Sequence, residues 1–253
     1  MSSAKVAEKL NILRYADGKY VSMRDLTVQE VQFHIDIVGI AHKVLYCSPG
    51  EWMELVLGHL YTQRYIRRIA DVESIDIDTD AMVATVEINP LYRDRIIKED
   101  DRLLDNVVFD PEMLIENQNQ FYEDSALHRA TAGIHRSALC DDMGTLFACI
   151  DVSRHNSLDK LIGKALMNGV SLQDKYVLTS GRVPKDMLQK AIYAGVPMMV
   201  SRSTPTVQAV RAAQMANLTL VGFSREGRFN IYCGEQRLLG CRTIEESPQN
   251  EEE

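Results

Sequence analysis

The sequence predicts an α/β chain of two parts, a smaller N-terminal α+β domain followed by a three-layer α/β/α domain. Three observations carry this. Residues 31–88 hold period-two runs around one amphipathic helix. Residues from about Asn89 to Pro111 are charged and irregular, as a linker is. Beyond Thr131, strand-like and helix-like segments alternate, the pattern of a sheet with helices on its faces. The expected divisions are 1–105 with the linker, 106–243, and an acidic, disordered tail at 244–253.

Val31–Val38 alternates apolar and polar residues and reads as a half-buried strand, with a second strand at Lys43–Cys47. Ser48-Pro49-Gly50 then breaks the chain. Trp52, Leu55, Val56, His59 and Leu60 fall at helical spacing, with Pro49 suited to that helix's first turn. Val72–Ile77 and Met82–Ile88 are strands joined by the turn Asp78-Thr79-Asp80. A polar helix is predicted from Met113 to about Arg129. Strands at Ala132–Leu139 and Thr145–Val152 flank the turn Asp141–Gly144. A helix through Leu158, Leu161, Ile162, Ala165 and Leu166 closes at Gly169. The series ends with strand Tyr176–Leu178, helix Pro184–Ala194, strand Met198–Val200, helix Pro205–Ala216 and strand Leu218–Phe223.

Composition narrows the function classes. No apolar run is long enough to span a bilayer, and the first residues lack a signal-peptide core, so a cytoplasmic protein without membrane contact is expected. The five cysteines are scattered singly, as free thiols in a reducing compartment are. The net charge is −8, but five negative charges lie in the tail, leaving −3 for the rest. No basic run with interleaved aromatics suggests a nucleic-acid face. Neither HExxH nor the deaminase signature of HxE with PCxxC occurs, so no metal site is assigned.

Open α/β sheets bind ligands outside the carboxyl ends of their strands. Four such junctions stand out: Asp151–Asn156, Thr179–Arg182, Ser201–Thr206 and Gly222–Arg228. Each brings an arginine, whose planar fork suits phosphate, and at least one hydroxyl. Helix N-termini would add free N–H groups and a positive dipole end. Each junction also has a structural reading. Asn156 with Asp159 resembles a capping box, Thr204-Pro205 a cap followed by a first-turn proline, and Gly181 and Gly227 turn residues. Taken singly these readings prevail; four such junctions together at one edge favour a site for a phosphorylated or pyrophosphate-containing ligand. His135 and His155 are each open to two readings, proton transfer or a purely structural hydrogen bond.

The block Asp151-Val152-Ser153-Arg154-His155-Asn156-Ser157-Leu158-Asp159-Lys160-Leu161-Ile162-Gly163 resembles one found in the FdhD/NarQ family of formate dehydrogenase accessory proteins. Thr131–His135, Ser180-Gly181-Arg182, Ala194–Pro197, Pro205-Thr206, Leu220–Phe223, Arg225–Arg228 and Asn230-Ile231-Tyr232 follow in the family's order. Ser48-Pro49-Gly50 with Leu57-Gly58-His59-Leu60 resembles its early segment. The resemblance implies a cytidine-deaminase-like C-terminal domain without deaminase chemistry, and a homodimer. It further implies sulfur transfer from a cysteine desulfurase to the bis(molybdopterin guanine dinucleotide) cofactor of molybdenum or tungsten, for delivery to formate dehydrogenase. Phe223, Ser224, Arg225, Glu226, Gly227 and Arg228 correspond to the family's cofactor-binding stretch. With Ser180, Gly181, Arg182, Arg154, His155 and His135 they form the expected site, for which GDP is an analogue.

One departure bears on mechanism. The family's persulfide cysteine belongs to a CxxC, and the corresponding stretch here, Asp101–Asn119, contains no cysteine. No catalytic residue is therefore assigned. Cys140 and Cys149 are the nearest thiols and fall at strand positions where burial is expected. Ser153 stands in place of the family's glycine, and Cys149 where relatives often have histidine. The alternative to a sulfur-transferring accessory protein is a diverged scaffold that binds nucleotide or the dehydrogenase only.

Overall fold

A computed structural model describes residues 5–93, 102–123 and 126–241. The chain opens with a two-stranded ribbon, β1 (Ala7–Ala16) and β2 (Lys19–Val28). A four-stranded sheet follows, ordered β4-β3-β6-β5, from β3 (Val31–Ile37), β4 (Ala41–Cys47), β5 (Val72–Asp78) and β6 (Val83–Ile88). Phe33, Ile35 and Ile37 alternate inward from β3 and meet Leu55, Val56 and Leu60 of α1 (Trp52–Thr62) in one buried core.

After α2 (Pro90–Arg93) and the described part of the linker come α3 (Pro111–Glu123) and α4 (Ala126–Thr131). The C-terminal sheet is ordered β12-β11-β10-β9-β7-β8. Its strands are β7 (His135–Asp141), β8 (Gly144–Asp151), β9 (Tyr176–Thr179), β10 (Met198–Ser201), β11 (Thr219–Arg225) and β12 (Arg228–Cys233). Helices α5 (Arg154–Met167), α6 (Lys185–Tyr193) and α7 (Val207–Ala216) complete the chain. Leu161, Met187, Leu188, Ala209 and Ala213 from these helices share one core with Val177, Met199 and Leu220. Leu114 and Phe121 of α3 pack with Leu178, Val200 and Val221 in another. These sheet residues alternate along their strands, so α5–α7 cover one face and α3 the other. The result is a mixed α/β structure.

Several local expectations are corrected. Pro49 lies before the helix: Gly50 and Glu51 both take left-handed backbone (φ 100° and 53°), and α1 starts only at Trp52. The predicted 113–129 helix is helical over its described residues, as α3 and α4, with residues 124 and 125 outside them. Asn156 is not a cap, since Ser153 occupies that position and Asn156 lies buried inside α5. Thr206, not Thr204, caps α7 by accepting the Ala209 N–H at 3.2 Å. The strand expected from Ala132 begins at His135, and the ribbon β1–β2 and strand β12 have no counterpart in the sequence reading. The 244–253 tail and linker residues 94–101 lie outside the described residues.

Helices α1 and α5 cross in backbone contact. A Cβ on Gly58 would lie 1.7 Å from the Asp159 carbonyl oxygen, and one on Gly163 would lie 1.9 Å from that of Glu54. No side chain fits at either position, which explains a glycine in each helix despite its cost to helix stability. This close approach encloses polar groups that must satisfy one another. The buried Asp159 carboxylate accepts from Lys190 Nζ at 2.7 and 2.8 Å and from Thr62 Oγ1 at 2.7 Å, and pairs with His59 Nδ1 at 3.2 Å. Burial alone would raise its pKa, but Lys190 and His59 hold it down to about 2.

Asp159→Ala strands Lys190 in the interior and is expected to cost about 3–5 kcal/mol in denaturant unfolding. Because the folded carboxyl titrates below its unfolded value of about 3.9, its contribution is complete above that pH. That contribution should fade as pH falls through about 2. Acid titration of the variant should therefore lack this component of the wild-type loss.

Candidate functional site

Strand direction decides which loops meet. Strands β9, β10 and β11 run parallel, and β7 is antiparallel to both β9 and β8, so β8 points the same way as the parallel three. The carboxyl ends of β8, β9, β10 and β11 therefore open on one edge, beside the start of β7. All four arginine-bearing junctions lie there. From β11 to β8 is four inter-strand steps, so the edge is roughly 19 Å long at the usual spacing.

At the β8 end, His135, Arg154, Ser180 and Gly181 form one cluster. Ser180 Oγ accepts from the Arg136 N–H at 3.0 Å and lies 3.4 Å from His135 Nδ1. A Cβ on Gly181 would meet His135 Nδ1 at 3.0 Å and Arg154 Cδ at 3.2 Å, so this glycine serves close packing rather than a turn. Burial, reinforced by the Arg154 charge, holds the His135 pKa below its ordinary value and favours the neutral ring. His155 faces Asp186 of α6, with Nε2 3.1 Å from the carboxylate.

In the middle of the edge, Ser201 Oγ donates to the Gly181 carbonyl at 2.7 Å and accepts from the Ser203 N–H at 3.0 Å. Arg182 and Arg202 are exposed, and the Arg202 guanidinium lies 4.7 Å from the Tyr122 ring centroid.

The β11–β12 hairpin forms the other end. Between the pairs Gly222↔Asn230 and Arg225↔Arg228, two residues of β11 oppose one of β12, a β-bulge. Phe223 takes left-handed backbone there (φ 50°), with its N–H on the Ser203 carbonyl at 3.2 Å. A bulky residue in that region is strained, and such strain gathers at binding sites. The buried Ser224 hydroxyl donates to Gln118 Oε1 of α3. Arg225, Glu226, Gly227 and Arg228 are exposed, and Glu226 and Gly227 make the tight turn (φ 57° and 73°). Like charges directly opposite across two strands repel. An anion between Arg225 and Arg228 would reverse that penalty.

The edge rests on a second buried network. The Asp151 carboxylate accepts from Lys160 Nζ at 2.8 Å and from the Ser48, Ser153 and Asn156 donors at 3.1, 2.9 and 3.3 Å. Asn156 also donates to the Tyr46 carbonyl at 2.8 Å, and the Val152 N–H to Ser48 Oγ at 3.0 Å. The block around Asp151 thus divides. Arg154 and His155 belong to the edge, whereas Asp151, Asn156 and Lys160 fasten the N-terminal part. The hairpin arginines and the His135–Arg154 cluster occupy opposite ends of the edge. Arg202 with Tyr122, and Gln118 behind Ser224, were not among the expected site residues; their partners are too distant in sequence for pattern to join them.

The thiols lie elsewhere. Cys47, Cys140 and Cys149 are buried, and burial pushes each pKa up to about 12, with Asp151 adding at Cys47 and Glu51 at Cys149. Cys149 borders a cavity of about 660 Å³ lined also by Pro49, Glu51, His128 and Arg136. Cys233 and Cys241 are partly exposed.

The molecule is thus a mixed α/β protein whose larger sheet, tied to a second α+β unit, carries arginines along one edge. The chain belongs to the FdhD/NarQ family, which it matches over residues 28–102 and 92–239. It is 29% identical to the sulfur carrier protein FdhD of Bacillus subtilis (strain 168), an alignment covering 92% of this chain and 98% of the relative. It is 31% identical to that of Staphylococcus aureus (strain MRSA252), covering 90% and 95%. The fold is similar to a crystal structure of a proposed formate dehydrogenase accessory protein from Desulfotalea psychrophila. The TM-score is 0.81 at 22% identity, covering 93% of this chain and 100% of that one. No helix among the described residues is long and apolar enough to cross a membrane.

Thiol burial has a direct readout. Brief alkylation of the native protein followed by peptide mass spectrometry is expected to label Cys233 and Cys241 and to spare Cys47, Cys140 and Cys149. Rapid labelling of Cys140 or Cys149 would contradict the burial and raised pKa described for them.

Proposed function

We propose that this chain is an accessory protein of formate dehydrogenase maturation. It holds the bis(molybdopterin guanine dinucleotide) cofactor of molybdenum or tungsten, as cargo, along the carboxyl edge of its six-stranded sheet. The observation that carries the reading is the convergence of Arg154, Arg182, Arg225 and Arg228 on one edge roughly 19 Å long. Charge-assisted bonds from guanidinium forks suit pyrophosphate oxygens. An extended edge suits an elongated dinucleotide better than a single phosphate. The fit is independent of the family name: opposed Arg225 and Arg228 call for an anion, and the exposed Gly227 in the turn between them leaves the backbone open to close approach. Helices on both faces of the sheet support the cytidine-deaminase-like reading of this domain.

Relatives are named sulfur carriers. In this chain no cysteine occurs between Cys47 and Cys140, where the family's CxxC would fall. That observation favours the second reading, a cofactor-binding scaffold without a resident persulfide. Sulfur handed over by a cysteine desulfurase would have to rest on Cys233 or Cys241. Formate dehydrogenase is the partner in either case, and a homodimer the working assembly.

Calorimetric titration with GDP, one end of the cofactor, should give saturable binding. Arg225→Glu and Arg228→Glu should each weaken it at least about tenfold, since each replaces an attractive charge with a repulsive one. Unchanged affinity would remove the hairpin from the site. Incubation with a cysteine desulfurase and cysteine should leave the intact mass without added sulfur; a gain of one sulfur atom would restore the carrier role.

A further inference from the structure

One of the four arginine-bearing junctions contributes a residue, Arg202, that has no assigned role in the site proposed above. Arg202 follows β10, one strand from the Ser180–Arg182 corner and one strand from the β11–β12 hairpin. Its backbone is fixed on both sides: the Arg202 N–H donates to the Thr179 carbonyl at 3.4 Å, and the adjacent Ser203 carbonyl accepts the Phe223 N–H at 3.2 Å. Its guanidinium lies over the Tyr122 ring, 4.7 Å from the centroid. Tyr122 is half-buried on the last turn of α3, beside Phe121 at an edge-to-face centroid distance of 5.2 Å. The ring is therefore held from behind, while Arg202 remains exposed.

We infer that Arg202, backed by Tyr122, is a base-binding residue that stacks on the purine base of the bound nucleotide, while the arginines at the two ends of the edge take its phosphates. This rests on the cofactor-binding reading above and assigns it a base-recognition element. A guanidinium is planar and weakly hydrated, so it stacks on aromatic faces as well as pairing with anions. Tyr122 lies on one side of the guanidinium and Arg202 is otherwise exposed, which leaves room for a second flat group and a base–arginine–tyrosine stack. Arg225 and Arg228 differ in setting, since they end β11 and begin β12 and face each other across the hairpin, where an anion between them offsets their repulsion. The stack recognises a planar base in general, so discrimination among purines would need further contacts.

The test compares two ligands that share phosphates and differ in the base. Affinities for GDP and for inorganic pyrophosphate are measured by calorimetry on wild-type protein, Arg202→Ala and Arg202→Lys. The lysine variant keeps the charge and loses the plane. Both variants should bind GDP roughly tenfold or more weakly, the effect of one lost base stack, with pyrophosphate affinity changed by less than about threefold. Because Arg202 is exposed, both should unfold at the wild-type temperature. Equal losses for the two ligands, or rescue of GDP binding by lysine, would make Arg202 a phosphate ligand and overturn the assignment. So would unchanged GDP affinity. Wild-type protein that binds neither ligand would instead contradict the edge itself, and this assignment with it.

Discussion

The structure depends on the crossing of α1 and α5. Two glycines, Gly58 and Gly163, bring the helices into backbone contact. On either side of the contact a buried carboxylate meets a buried lysine, Asp159 with Lys190 and Asp151 with Lys160. Buried pairs of this kind add little net stability over an apolar substitute. Both ion pairs lie within the C-terminal part, and it is the further contacts of each carboxylate that fix the register of the N-terminal part against it. Asp159 binds Thr62 and pairs with His59 from the N-terminal part, and Asp151 binds the Ser48 N–H. The N-terminal sheet is thereby fastened behind the edge that carries the candidate site.

That fastening has a functional consequence. Ser48 uses its N–H, hydroxyl and carbonyl, and all three go to the β8–α5 junction or to Lys160. The junction is the one from which Arg154 and His155 emerge. Positioning at the near end of the edge therefore comes from the N-terminal part. At the far end it comes from α3, through Gln118 on Ser224 and Tyr122 beneath Arg202. The strained Phe223 lies between these supports.

Most of the architecture was legible because it follows from periodicity. Strand β3 alternates so regularly that Phe33, Ile35 and Ile37 could be assigned inward at once, and strand–helix alternation after Thr131 gave the order of the C-terminal elements. The ribbon β1–β2 was not legible. Leu13, Tyr15, Tyr20 and Val21 stay exposed, so no buried face imposes the period of two. Caps were misassigned because Asn156 and Thr204 have capping chemistry, while burial commits Asn156 to Tyr46 and Asp151. Within the site, the junction arginines could be read from strand ends. The partition of Asp151–Gly163 into an outward pair and an inward lock could not, because the lock's partners lie about a hundred residues earlier. Likewise nothing near Arg202 in sequence points to Tyr122.

The central claim is that the carboxyl edge of the six-stranded sheet is where this chain receives its anionic ligand. Hydrogen–deuterium exchange with and without saturating GDP tests it most directly. Slowed exchange is predicted in residues 179–182, 201–206 and 222–228, with the α1–α5 crossing unaffected. Protection confined to other regions, such as the cavity beside Cys149 and Glu51, would contradict the account, as would no protection at all.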